Sequence, residues 1–416
     1  MTFTTSRSAF PWMMVLAVFS ASITFIATAR AERNMARLRQ ADGTVLDMTT
    51  ISFTPDDRVT GISTEGTVDL STRDILSIEF NPSDRRPSRE PALLIGGGEI
   101  LHGVLNATEH DTIEVKNDFF GTADIPLTAI EGILLGERVT GKAKLDLIER
   151  IRRIPRQADA ILLANGDVLE GTISKFGPEE WEIDRDGKPQ SIAPKLLRGV
   201  ALDKNLLEYK PTKDFHAQVT LADGSIFKAK EIVAKNGNLE IHSLIGPVIK
   251  LAWSVAGSPG LARIDYRNGR VVYLSDIDPT ETVIKPFLDD RAVPQKDENV
   301  AGGTLRVAGK AYVKGMGVRS YSRLDYDAAS FERFLATVGI DDAASDEASL
   351  AFRVLLDDKV AFDSKEMTTA TEPKLIDLPI GSAKKLSLEV DYARRGDIDD
   401  LADWCDARLI RPADKK

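Results

Sequence analysis

A short motif that returns four times between residues 38 and 227 constrains the fold more than any other feature of this sequence. In each copy an apolar segment leads into two turn-forming residues, and a second apolar segment follows. The turn pairs are Asp42-Gly43, Gly97-Gly98, Asn165-Gly166 and Asp223-Gly224. These residues tolerate positive φ, which two-residue hairpin turns of the primed type require. The motif therefore predicts a β-hairpin at the start of each of four repeats.

A second apolar cluster follows each of the first three hairpins, at residues 75–78, 130–135 and 196–202. A unit of about 45 residues with four or five short strands is the size of a small SH3-like or Sm-like barrel. Propeller blades have a similar length, but the uneven spacing and the lack of a recurrent aromatic motif favour a string of barrels. The predicted repeats are 32–80, 91–137, 158–204 and 214–278, of which the last is the longest and most irregular.

The segment 138–157 interrupts this pattern between the second and third repeats. Leu145, Ile148, Ile151 and Ile154 recur every third residue among charged residues, and Pro155 follows. This spacing predicts an amphipathic helix that covers an apolar face of a barrel or, alternatively, is placed for a partner. The polar residues 81–90 are the predicted linker.

The first 31 residues have the features of a signal peptide. Arg7 provides positive charge, residues 12–26 are apolar, and Ala29-Arg30-Ala31 fits a small-x-small cleavage pattern. The alternative is a retained membrane anchor, because the apolar segment approaches the minimum length for a spanning helix. We therefore predict a secreted, periplasmic or cell-envelope protein.

Charge and composition exclude several classes of protein. A net charge of -10 and the lack of a long basic cluster after the N-terminus argue against nucleic acid as a partner. Cys405 is the single cysteine, so no intrachain disulfide can form. The four histidines are not at helical spacing to one another, which argues against zinc and against a histidine-dependent hydrolase. Acidic residues are abundant without an evident facing pair of the kind that a glycosidase needs, so we predict that the chain is not an enzyme.

The acidic residues near the C-terminus are the candidate metal ligands. Asp399, Asp400 and Asp403 supply hard oxygen ligands within a few residues, which is the chemistry that calcium prefers. The glycine and the terminal glutamate of an EF-hand are missing, so a structural calcium in a β-sandwich is the predicted form; Asp341 and Asp342 are a second place for it. The alternative is a solvated turn with aspartates that pair with a nearby arginine such as Arg408.

Residues 312–411 show the period of two that β-strands require. Leu350, Phe352, Val354 and Leu356 alternate with other residues before an Asp-Asp-Lys turn, and Leu386, Leu388 and Val390 repeat the pattern. Strands that each bury one face predict a β-sandwich with end loops that remain available to a ligand.

Five ordered blocks in this region carry a family resemblance: 314–322, 334–342, 352–360, 386–390 and 399–409. In this order they resemble the NPCBM family of carbohydrate-binding modules, over roughly residues 280–411 of a predicted domain 279–416. The resemblance implies a galactose-binding-like β-sandwich, or jelly roll, that binds a glycan through an aromatic face and charged side chains. The ligand-binding residues that it implies here are Arg319, Tyr321, Asp341, Asp342 and Trp404.

Two positions depart from the family pattern. Arg319 and Leu401 stand where the family commonly has histidine, and Arg319 could donate hydrogen bonds in place of the first. The role of Trp404 is open between two alternatives. If Cys405, Ala407 and Leu409 face one side of a strand, Trp404 faces the other, where it either caps a second core layer or presents its ring near a loop.

The complete sequence therefore predicts an all-β protein, with a string of barrel repeats followed by a β-sandwich. The first functional hypothesis is an exported, non-catalytic protein that binds a glycan or polysaccharide, with the repeats as a spacer or as a platform for protein partners. The second is a structural or interaction protein of the cell envelope with a sandwich that no longer binds sugar. An accessory part of a glycoside hydrolase is the third.

Overall fold

The computed structural model describes residues 35–80, 88, 91–108, 111–135, 142–177, 180–210, 212–254, 257–286 and 292–413. The predicted signal peptide, residues 1–31, and most of the predicted linker lie outside the described residues. Within the described ranges, strands dominate and no helix is long and apolar enough to cross a membrane. The all-β prediction is confirmed.

The N-terminal part contains four groups of strands, which we call repeats 1 to 4. Repeat 1 (36–80) contains β1 Ala36–Gln40, β2 Val45–Thr54, β3 Arg58–Ser63, β4 Gly66–Ser71 and β5 Ile75–Phe80. Repeat 2 (92–134) contains β6 Ala92–Ile95, β7 Ile100–His102, β8 Val104–Ala107, β9 Thr112–Asn117, β10 Gly121–Pro126 and β11 Ile130–Leu134. Helix α1 spans Lys142–Arg153. Repeat 3 (159–201) contains β12 Asp159–Leu163, β13 Val168–Lys175, β14 Trp181–Arg185, β15 Lys188–Ile192 and β16 Leu197–Ala201. Repeat 4 (216–267) contains β17 His216–Leu221, β18 Ile226–Lys235, β19 Asn238–Ser243, β20 Val248–Ala252 and β21 Leu261–Arg267.

All four repeats share one pairing scheme. The opening hairpin joins the first two strands, the middle strands form an antiparallel meander, and the last strand returns to pair with the first, as in β1–β5, β6–β11, β12–β16 and β17–β21. In repeat 2 the meander is the separate three-stranded sheet β8-β9-β10. The repeats also pair with each other through β5–β21, β11–β16 and one residue pair between β7 and β18. One large hydrophobic core cluster includes residues of all four repeats. Repeats 1 to 4 are therefore joined edge to edge, which the prediction of a string did not include.

The hairpin turns differ from the predicted two-residue type. At the first turn the Gly43 N–H donates to the Gln40 carbonyl at 3.0 Å, and the Gln40 N–H donates to the Thr44 carbonyl at 2.8 Å. The φ of Gly43 is +94°, and Asp42 is not among the described residues with positive φ. A three-residue loop with glycine in the left-handed position explains this geometry, because a primed turn needs positive φ at both central residues. The Asn165-Gly166 and Asp223-Gly224 turns have the same hydrogen bonds.

Helix α1 lies on the paired strands β11 and β16. Ile148, Ile151 and Ile154 are buried against apolar residues of these strands, whereas Leu145 is exposed, contrary to the predicted apolar face. The helix approaches closely because Gly199 lies beneath it: a Cβ there would come within 2.2 Å of the Ile151 side chain. Helix α1 thus covers the joint between repeats 2 and 3.

The C-terminal part is a β-sandwich, and this prediction is confirmed. Its strands are β22 Val271–Tyr273, β23 Glu281–Ile284, β24 Gln295–Lys296, β25 Arg306–Val307, β26 Lys310–Ala311, β27 Gly315–Arg319, β28 Ser322–Asp327, β29 Arg333–Ile340, β30 Ser349–Leu356, β31 Lys359–Asp363, β32 Met367–Thr368, β33 Lys374–Pro379, β34 Lys385–Tyr392 and β35 Leu401–Ile410. Sheet I has the order β24-β27-β35-β29-β33, and sheet II has the order β23-β28-β34-β30-β31. Strand β22 pairs with the end of β35, so the sandwich includes residues before the predicted boundary at 279.

Repeat 1 contacts the sandwich through charged side chains. Arg270 forms ion pairs with Asp74 of repeat 1 and with Glu332 of the sandwich. The Arg408 guanidinium donates to the Ala41 carbonyl at 3.4 Å. The Arg408 bond holds the first hairpin turn against strand β35, and the Arg270 ion pairs link repeat 1 to the sandwich beside it.

Candidate functional site

One end of the sandwich gathers most of the predicted site residues. We call it the loop end; it is formed where β27 and β29 finish and where β28, β30 and β35 begin. The predicted residues located there are Arg319, Tyr321, Asp341, Asp342, Asp399 and Asp400. Antiparallel pairing brings these separate sequence blocks to the same end.

The two departures from the family pattern are neighbours across strands. Arg319 of β27 is in register with Leu401 of β35. Met316 and Val318 are in the sandwich core, so alternation directs Arg319 to the outer face of sheet I. Its positive charge opposes the effect of burial on the nearby Asp400 carboxyl. Arg319, at a position where the resemblance implies histidine, therefore lies opposite the first residue of β35 and close enough to act on the charge of Asp400.

Tyr321 and Tyr392, which we call the tyrosine pair, lie on sheet II. Their ring centroids are 6.3 Å apart with an angle of 50° between the planes, and both side chains are half-buried. The Tyr321 hydroxyl donates to Glu389 Oε2 at 2.9 Å, and Lys285 Nζ lies 5.7 Å from the Tyr321 ring centroid. Burial, followed by the bond to Glu389, raises the pKa of Tyr321 to about 12. The pair thus forms a fixed aromatic surface that stays protonated near neutral pH.

Charged groups surround the tyrosine pair. Arg353 donates to Glu389 Oε1 at 2.9 Å and to Asp391 Oδ2 at 2.7 Å, and the Tyr392 hydroxyl donates to the Lys285 carbonyl at 3.0 Å. Sequence reasoning named Tyr321 but missed Tyr392, Lys285 and Glu389. The alternation on β34 contained a signal for Glu389, because its neighbours Leu388 and Val390 point into the core.

Asp341 and Asp403 form a buried pair on the outer face of sheet I, under the loop 298–312. Both side chains are at most 1% exposed, and each has an oxygen that accepts the Arg306 N–H, at 3.0 and 3.2 Å. The neighbours of Asp403 on β27 and β29 are Gly317 and Gly339, where a Cβ would collide with this loop. Burial, then the hydrogen bond to Asp341 and its charge, raises the pKa of Asp403 to about 9. Asp341 is therefore placed to anchor the loop 298–312, and its burial does not support a role in ligand binding.

Asp342 also has a local bonding role at the loop end. It is exposed, and its Oδ2 accepts the Gly309 N–H at 2.8 Å, which fixes the turn between β25 and β26.

The three candidate calcium ligands point to different partners. Asp399 Oδ2 accepts the Ser345 N–H at 2.7 Å. Asp400 is buried, and it accepts hydrogen bonds from the Ser349 N–H at 2.9 Å and from the Ser320 hydroxyl. Burial raises the pKa of Asp400 to about 6. Among the described residues, no three acidic, histidine or cysteine side chains converge as a metal site.

Calcium binding stays a prediction. If calcium binds the folded chain, it adds about 2.7 kcal/mol to the unfolding free energy at a hundredfold excess over Kd. We then expect a lower melting temperature in excess chelator than in excess calcium. Equal melting temperatures in the two solutions would contradict calcium binding by these aspartates.

Trp404 lies in the core, not near a loop. It is 1% exposed, and its ring packs edge-on against Phe352 at 5.1 Å between centroids. The placement supports the buried-cap alternative and does not support a sugar platform. The predicted faces of β35 are also wrong, because Ala407 joins Trp404 in the core while Cys405 faces outward into a small cluster with Tyr312.

A β-bulge explains this change of faces. The register between β29 and β35 shifts after Cys405, and Asp406 has a φ of +49°. A bulge inserts one extra residue, so the alternation of side chains restarts on the other face beyond it.

Comparison with known proteins places this sandwich in a family. Residues 270–410 match the NPCBM/NEW2 domain. CBM51 from Clostridium perfringens GH95, solved in complex with methyl-galactose, is 30% identical, with 33% of this chain and 99% of that chain covered and a TM-score of 0.31. The tandem CBM51 modules of the family 98 glycoside hydrolase from Streptococcus pneumoniae are 15% identical. That match covers 91% of this chain and 100% of the other chain, with a TM-score of 0.31. No curated protein matches the chain. Residues 270–410 of this chain are therefore an NPCBM/NEW2 domain, a carbohydrate-binding module at its C-terminal end.

Proposed function

We propose that the protein is an exported, non-catalytic glycan-binding protein in which the loop end of the sandwich holds the sugar. The NPCBM/NEW2 match supports a carbohydrate ligand, and the absence of a predicted catalytic constellation in the sequence is consistent with binding alone. Repeats 1 to 4 then act as a spacer or assembly platform that holds the sandwich at the envelope.

The tyrosine pair is the observation that carries this proposal. A sugar ring presents an apolar face to an aromatic side chain and hydroxyls to charged groups at its edge. Tyr321 and Tyr392 offer the aromatic surface, and Glu389, Arg353 and Lys285 lie beside it with acceptors and donors. The Trp404 ring is buried, so we assign the aromatic role to the tyrosine pair instead.

A glycan array with the full chain tests the proposal. We expect binding to at least one galactose-, glucose- or N-acetylhexosamine-terminated glycan, and a loss of at least tenfold in affinity for Tyr392→Ala, because the aromatic contact is removed. Leu375→Ala is the matched control: this side chain is 81% exposed on β33 of sheet I, away from the tyrosine pair. Melting curves of all variants establish that they are folded.

Two results would redirect the proposal. Undiminished binding by both Tyr392→Ala and Tyr321→Ala would place the sugar elsewhere, and a loss with Arg319→Ala would then locate it on the outer face of sheet I. No binding by the folded parent to any glycan of the array would favour a structural or interaction protein of the envelope with a sandwich that no longer binds sugar.

A further inference from the structure

Repeats 2 and 4 meet through the first residues after their hairpin turns. Ile100 of β7 and Ile226 of β18 are in antiparallel register. Glu99 precedes the first isoleucine, and its Oε2 accepts the N–H of Lys228, two residues after the second isoleucine, at 2.7 Å. The Glu99 side chain, next to the repeat 2 turn, therefore accepts a hydrogen bond from the backbone edge of β18 in repeat 4.

The same bond occurs in the opposite direction. Ser225 precedes Ile226, and its hydroxyl accepts the His102 N–H at 3.0 Å, two residues after Ile100. The contact between repeats 2 and 4 is thus pseudo-twofold symmetric, with the two isoleucines at its centre. Symmetry of this kind also permits two identical edges to pair with each other.

Repeat 1 reproduces the structure of the repeat 4 edge, but no strand of the other repeats pairs with it among the described residues. Val45 occupies the place of Ile226 in the opening hairpin, and Asp47 occupies that of Lys228. The Thr64 N–H donates to the Asp47 carbonyl just as the Leu244 N–H donates to the Lys228 carbonyl. Val45 is 41% exposed, and among the described strands only β1 pairs with residues 45–47.

The residue next to the turn is suited to the same bond. Thr44 corresponds to Ser225, and the N–H of each donates to the turn aspartate, Asp42 or Asp223, at 2.9 and 2.8 Å. A threonine hydroxyl has the acceptor lone pairs that Ser225 uses toward its neighbouring repeat.

The corresponding edge of repeat 3 is also unpaired by other repeats among the described strands, but its charges oppose pairing with a second copy of itself. Val168 is 44% exposed, with Asp167 before it and Glu170 two residues after it. Two such edges would oppose carboxylate to carboxylate, whereas the corresponding pair in repeats 2 and 4, Glu99 and Lys228, has opposite charges 3.9 Å apart. In repeat 1 the residue before the valine is the uncharged Thr44. The adjacent Asp47 carboxylate already binds Arg37 at 3.0 Å.

We infer that two copies of this chain associate through repeat 1, with antiparallel pairing about Val45 and with each Thr44 hydroxyl accepting the Asp47 N–H of the other copy. The valine lies on the twofold axis of this dimer. The paired segment is short, so the dimer is weak and depends on concentration. Such a dimer would give the protein two glycan-binding modules, which raises avidity on a surface without a new sugar contact.

A cysteine placed on the proposed axis gives a direct test. Directly opposed residues of antiparallel strands have Cα atoms about 4.5–5.5 Å apart, which lies within the range that a disulfide spans. We expect the full-length Val45→Cys variant to convert to a reducible, covalent dimer under mild oxidation. Val168→Cys, the matched variant on the repeat 3 edge, should stay monomeric. Cys405 is buried and does not compete.

Sedimentation equilibrium of variants without added cysteine completes the test. The parent should show a monomer–dimer equilibrium that Val45→Lys abolishes and Val168→Lys leaves unchanged, with equal melting temperatures for all three proteins. A parent that remains monomeric at the highest concentration would overturn the inference. So would equal crosslinking of the two cysteine variants, or loss of the dimer with Val168→Lys alone.

Discussion

The Trp404→Ala variant should lose about 3–5 kcal/mol of unfolding free energy, the cost of truncating a large buried aromatic side chain. Trp404 is 1% exposed, and its edge-on contact with Phe352 joins sheet I to sheet II across the sandwich core. Removal of the indole leaves a cavity between the sheets, and a cavity costs contacts in addition to the lost burial. Denaturant unfolding followed by circular dichroism measures the change.

The effect should come from the core and not from a ligand contact. Trp404→Phe keeps part of the aromatic packing, so we expect it to be destabilised less than Trp404→Ala. At a temperature where Trp404→Phe is folded, its glycan affinity should equal that of the parent. A folded Trp404→Ala protein with parental stability and no glycan binding would instead show that Trp404 contacts the glycan.

The sandwich was predictable because its signals are local. The alternation of Leu350, Phe352 and Val354 defines a strand with one buried face, and the spacing of the ordered blocks gives the family. Turn glycines likewise located the repeat hairpins, since Gly43 and Gly166 have φ values of +94° and +97°. Conformations that depend on a few adjacent residues can be read from the sequence.

The errors arise where a contact from a distant part of the chain decides the outcome. No local feature shows that the outer face at Asp403 is covered by residues 298–312, because Gly317 and Gly339 make room for that loop only after folding. Strict alternation assigns Cys405 and Ala407 to the same face of β35, but the bulge at Asp406 places them on opposite faces. Register and edge pairing are set by tertiary packing, which propensity alone does not determine.

The tyrosine pair shows the same limit for the site. Tyr321 follows the first family block, but Tyr392 ends a strand more than sixty residues later, and only the pairing of β28 with β34 brings their rings together. Several residues of the predicted set lie at one end of the sandwich, but their role in ligand binding stays a prediction. The sequence alone could not distinguish residues that face outward from residues that anchor loops.

The Asp341–Asp403 pair predicts a dependence of stability on pH. The pKa of Asp403 is raised from 3.8 to about 9 in the folded chain, so between these values the folded state keeps a proton that the unfolded state has released. The stabilisation from this group is full below about pH 4 and decreases as the pH rises toward 9. Each retained proton lowers the unfolding free energy by up to about 1.4 kcal/mol for each unit of increase in pH.

Asp403→Asn should remove this dependence. The amide has nearly the same shape, it can donate to the Asp341 carboxylate as the protonated acid does, and it does not titrate. Asp403 Oδ1 is buried without a donor among the described residues, which suits a protonated carboxyl and makes ionisation costly. We expect the parent to lose stability between pH 6.5 and 8.5 relative to Asp403→Asn, as measured by urea unfolding at each pH.

Asp400, with a pKa of about 6, contributes mainly below this window, so Asp400→Asn serves as the control and should keep the parental slope there. Parallel curves for the parent and Asp403→Asn would show that Asp403 is already ionised in the folded protein.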